Sequence, residues 1–104
     1  MLEFRDIHSR NIRLTDERRV HLETDHPEMK NQVGRISETL LDPDRITQSR
    51  ADIQAELFYK WYQTTPVTSK YLCVIVKVLP NDHFVLTAYH TDTIKQGGLL
   101  WEKP

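Results

Sequence analysis

Residues 71–79, YLCVIVKVL, constrain this chain more than any other stretch. The run is β-branched and apolar on both parities, so neither side of it suits water. That is the pattern of a central strand, covered on two faces. A neighbouring run, FVLTAYH at 84–90, follows after the turn-forming PNDH. The pair predicts an antiparallel hairpin. A chain of 104 residues, 38% hydrophobic and 28% charged, has room for one domain and one modest core around such a hairpin.

The segments before the hairpin change period. LEFRDIH and NIRLT flank Ser9-Arg10-Asn11 and can pair as a short hairpin with Asn11 at positive φ. Thr15 is a fair N-cap, with Asp16 and Glu17 at the positive end of a helix running to about residue 25. His26-Pro27-Glu28 reads as a second helix start. Met29, Val33, Ile36 and Leu40 then form one apolar face, and Asp42-Pro43 ends the helix. Strands follow at 45–50, at 55–64 (the aromatic AELFYKWYQT), in the hairpin, and briefly at Leu99–Trp101. The expectation is an α+β domain: two N-terminal helices packed on one face of a roughly four-stranded antiparallel sheet, the other face partly open.

Alternation assigns side chains to those faces. Leu72, Val74, Val76 and Val78, with Phe84, Leu86 and Ala88, make the better core set. Lys77, Thr87 and Tyr89 then fall on the open face. For Lys77 to stand beside Thr87 the hairpin needs an odd loop or a bulge, and the odd loop is expected.

The totals exclude some functions. Fourteen basic residues against fifteen acidic give a formal charge of −1. A nonspecific coat for duplex DNA needs a large cation excess. The single cysteine, Cys73, lies in the most apolar run and reads as a buried thiol. No secretory leader and no long apolar span are evident, so the expectation is a soluble, cytoplasmic protein with no membrane partner. The histidines lack the tight spacing of zinc ligands, and neither a metal nor a cofactor is expected.

Lysine, arginine, histidine, tyrosine and threonine on one concave surface suit a phosphodiester. Cations neutralise the phosphate oxygens in the transition state. Histidine exchanges protons near neutrality, so one can take the proton of a 2′-hydroxyl or return one to the leaving oxygen. The stretches HLETDHPEM, ISETLLDPDRI, ELFYKWY, YLCVIVKV and FVLTAYHTDTIKQGG, in that order, resemble the phage-type barnase–EndoU–colicin–RelE-like nuclease families, a match covering roughly residues 12–101. That resemblance implies a RelE/barnase-like sheet with N-terminal helices and metal-independent RNase activity, often as a toxin. RNA would be the substrate, and an antitoxin or immunity protein the partner.

Carried over by position, the resemblance places His21 and His26 in a helical histidine motif, Arg50 on the first sheet strand, and Thr87 and Tyr89 in the TAY strand. These five are the catalytic candidates. Lys77, Tyr59 and Lys60 are the substrate-binding candidates. The central strands carry no histidine, which leaves the general base open. Each candidate also has a plain structural role: His26 as a cap before Pro27, Thr87 as a strand residue, Tyr89 as packing with a wet hydroxyl. His21 and His26 are five apart and converge only where the helix breaks. A catalytically inert domain of the same fold, binding RNA or a protein through LFYKWY, is the alternative function.

Overall fold

The computed structural model describes residues 1–104. In chain order they form β1 (Leu2–Arg5), β2 (Asn11–Leu14), α1 (Asp16–Asp25), a single 3₁₀ turn (Pro27–Met29) and α2 (Val33–Leu41). Then come β3 (Arg45–Gln48), β4 (Ala55–Tyr62), β5 (Lys70–Leu79), β6 (Asp82–Thr91) and β7 (Leu99–Glu102). All seven strands join one sheet in the order β1-β2-β6-β5-β4-β3-β7. The centre is β5, as its two-sided apolar sequence requires.

The α+β class is observed, but the four-stranded antiparallel sheet with leading helices is not. The sheet is seven-stranded and mixed. Two strands precede the helices, and β2 joins β6 in parallel through Arg13 and Phe84. The helices are an insertion between β2 and β3 rather than an N-terminal pair. The short segments β1, β2, β3 and β7 are each marked in the sequence, but four residues carry no signal of the partner that joins them to one sheet. The N-terminal turn also differs: Ser9, not Asn11, takes the positive φ, at 63°. Asp6 closes that turn by accepting the N–H groups of His8 and Arg10 and the Arg10 side chain.

On one face, Leu22, Met29, Ile36 and Leu40 pack with Phe58, Leu72, Val74, Val76, Val85 and Ala88. On the other, Leu57, Tyr59 and Cys73 form a smaller cluster with Tyr71, Ile75, Tyr89 and Ile94. This second face is therefore not simply open. The chain between β6 and β7 must cross from one side of the sheet to its far edge. As it does so, Ile94 packs on the cluster and the Lys95 N–H donates to the Tyr59 hydroxyl at 3.1 Å. Gly98 then accepts from the Gln48 N–H at 2.7 Å.

The β5–β6 turn is the even pair Pro80-Asn81, since Leu79 faces Asp82. The register shift enters instead as a bulge between Ile75 and Val76 on one strand and Val85 and Thr87 on the other. Leu86 is the extra residue. As a result Val85, not Phe84 or Leu86, enters the core beside Val76, and Lys77 lies opposite Phe84 rather than beside Thr87. No helix is long and apolar enough to cross a membrane.

Candidate functional site between α1 and β6

The extended backbone of Thr15 lets its hydroxyl accept the Arg18 N–H at 3.2 Å, which starts α1. Arg18, His21, Leu22 and Asp25 then recur at i, i+3, i+4 and i+7, so they share one helix face. Leu22 is buried and fastens that face to the sheet. Pro27 forbids a further helical turn, because the residue before proline avoids the helical region. His26 accordingly leaves the helix at φ −132°, ψ 78°. Its N–H still closes the last turn onto Leu22 at 2.8 Å.

This break brings the two histidines together on one cleft. A cavity of about 380 Å³ is lined by Arg18, His21, Leu22, Asp25, His26, Leu86 and Thr87. The β6 bulge supplies Leu86 and Thr87, as bulges do when they re-aim side chains beside a site. His21 Nε2 lies 3.7 Å from Glu17, and His26 Nδ1 lies 3.7 Å from Glu28. The His26 ring tilts against the Tyr89 ring with centroids 5.4 Å apart.

Tyr89 offers His26 its ring, not its hydroxyl. The hydroxyl oxygen is buried. Burial, then the adjacent Cys73 thiol, pushes the phenol above the usual tyrosine range. Burial likewise pushes the Cys73 thiol up to about 11, so it is an inert core group at neutral pH.

The other candidates lie elsewhere. Arg50 is not on a strand: β3 ends at Gln48, and Arg50 sits in the following bend, on a separate cleft. Lys77 is tied to Asp52. Tyr59 is fully buried, accepts the Lys95 N–H, and has its phenol raised chiefly by burial. Lys60 donates to the Asp42 carbonyl at 2.9 Å and carboxylate at 3.1 Å, anchoring the end of α2. These three hold the fold, and none lines the α1–β6 cleft.

Arg18, Asp25 and Leu86 line the cleft without having been singled out from sequence. Arg18 and Asp25 were accessible through the helical spacing from His21. Leu86 was not, because the bulge that turns it has no sequence mark. No cluster of three or more His, Cys, Asp or Glu side chains is arranged to hold a metal ion.

No family model, curated protein or solved structure matches this chain.

Proposed function

We propose that the α1–β6 cleft binds an RNA phosphodiester and cleaves it by attack of the adjacent 2′-hydroxyl. One imidazole accepts the hydroxyl proton, and the other returns a proton to the departing 5′-oxygen. The cyclising 2′-oxygen bonds to phosphorus as the 5′-oxygen leaves, giving a 2′,3′-cyclic phosphate. Arg18 balances charge on the non-bridging oxygens, and Thr87 donates a hydrogen bond to one of them. The single supporting observation is the meeting of His21 and His26 on one cleft with a guanidinium and a hydroxyl. The proposal rests on those side chains and not on sheet topology.

The test is degradation of generic single-stranded RNA in EDTA, with end-group analysis of the product. His21→Ala and His26→Ala should each lower the rate by about 10²- to 10⁴-fold, the usual worth of a general acid or base. Full activity in both variants would remove the reading. A second reading is an inert domain that binds RNA or a protein. Trp61 favours it, being 42% exposed with its ring centroid 5.0 Å from that of Tyr71. Retained RNA binding with no cleavage by the parent protein would select it.

A further inference from the structure

A second cleft shares no lining residue with the first. Its volume is about 300 Å³, at the small end of the roughly 300–1,000 Å³ range of small-molecule sites. Its floor includes Leu57 of β4 and Ile75 of β5. One wall is the bend after β3, with Ser49 and Arg50; the other is the crossing segment, with Lys95 and Gln96. No carboxylate lines it.

Charge makes this cleft unusual within the molecule. Eight of the fourteen lysines and arginines pair with a carboxylate. Arg50 and Lys95 are not among them. The carboxylate nearest Arg50 in sequence, Asp52, is taken by Lys77. Lys95 is placed by its backbone rather than by an ion pair, since its N–H is fixed on Tyr59. Its Nζ lies 5.4 Å from the centre of the Tyr89 ring. Two cations without carboxylate partners above an apolar floor match a ligand with an anionic end and a flat apolar body. A guanidinium and an ammonium together suit phosphate oxygens, the first by a fork of donors and the second as a point charge.

We infer that the cleft between the 48–51 bend and the 95–96 segment binds a phosphate monoester whose organic part ends in an aromatic ring, as in a mononucleotide, where the ribose joins the two. The ring lies on Leu57 and Ile75, and the phosphate meets Arg50 and Lys95. This site stands apart from cleavage at the α1–β6 cleft, and its test is binding alone.

Adenosine 5′-monophosphate, inorganic phosphate and adenosine are titrated into the protein by calorimetry. The mononucleotide should bind more tightly than either fragment. Arg50→Gln and Lys95→Gln should each weaken it by about 10- to 100-fold, the usual cost of losing a charge-assisted contact. Both side chains are exposed, so neither change should move the melting temperature. His21→Ala should leave the titration unaltered while affecting only RNA cleavage. The inference fails if none of the probes binds at millimolar concentration. It also fails if inorganic phosphate binds as tightly as the mononucleotide, if both glutamine variants bind like the parent, or if His21→Ala abolishes binding.

Discussion

Two glycines separate space from backbone freedom at the scale of single residues. A Cβ on Gly97 would run into the Gln48 carbonyl oxygen, which belongs to backbone at the end of β3 and has little room to yield. Gly97→Ala should therefore lift the segment that crosses the second face and cost about 1–3 kcal/mol, as overpacking does. Urea unfolding measures it. Gly34 sits inside α2 with nothing within 4 Å of an added methyl group. Gly34→Ala should stabilise the protein by about 0.5–1 kcal/mol through helix propensity. His90 makes the contrast in charge. Both ring nitrogens are buried without partners, and burial lowers its pKa below 6.5. Glu28 raises it, while Arg35 and Lys70 lower it further. The folded state thus binds fewer protons than the unfolded one between the lowered value and 6.5. Stability contributed at this position is complete above 6.5 and is lost as pH falls through that window. Denaturant melts at several pH values should show a steeper acid loss in the parent than in His90→Leu. Equal slopes would mean that His90 finds a partner in solution.

Elements tell which parts of this architecture a sequence can disclose. The long strands β4, β5 and β6 and the apolar face of α2 repeat their pattern often enough to be read directly, although α2 begins at Val33 and the expected start at Pro27 is only a 3₁₀ turn; the break at Pro27 follows from one residue's chemistry. The parallel pairing of β2 with β6 involves four residues and a partner about seventy positions away, so no local pattern encodes it. The bulge is equally silent, because FVLTAYH alternates in both available registers. Its consequence for the cleft is nonetheless sharp. Val85 and Ala88 both point to the core, and the two residues between them oppose Ile75 alone. Deleting Leu86 leaves Val85, Thr87 and Ala88 in strict alternation with their present partners. The deletion variant should therefore fold to the same sheet, with the amide protection of β5 retained. It should lose one wall of the α1–β6 cleft and with it most RNA cleavage. A variant that cannot fold would show that the bulge sets the sheet's twist rather than only its edge.

For the whole molecule, near-neutral charge becomes a quantitative constraint on nucleic-acid binding. Most cations are spent on internal ion pairs; those without a carboxylate are Arg5, Arg18, Lys30, Arg35, Arg50 and Lys95. Arg35 is already occupied, donating to the Thr64 carbonyl and lying over the Tyr62 ring at 4.4 Å. Only Arg18 lines the first cleft, and only Arg50 and Lys95 line the second. A single-stranded RNA long enough to engage both clefts would have at most about three phosphates neutralised. Each contributes roughly −0.7 to the slope of log K against log salt. A 2′-O-methyl oligonucleotide, which cannot be cleaved by its own 2′-oxygen, should therefore bind with a slope of about −2. A short oligonucleotide confined to the α1–β6 cleft should show less than half of that. Arg50→Gln should reduce the longer ligand's slope by about 0.7 and leave the shorter one's unchanged. A slope steeper than about −4 in the parent would require more cations than the two clefts hold, and would move the binding surface to another part of the molecule.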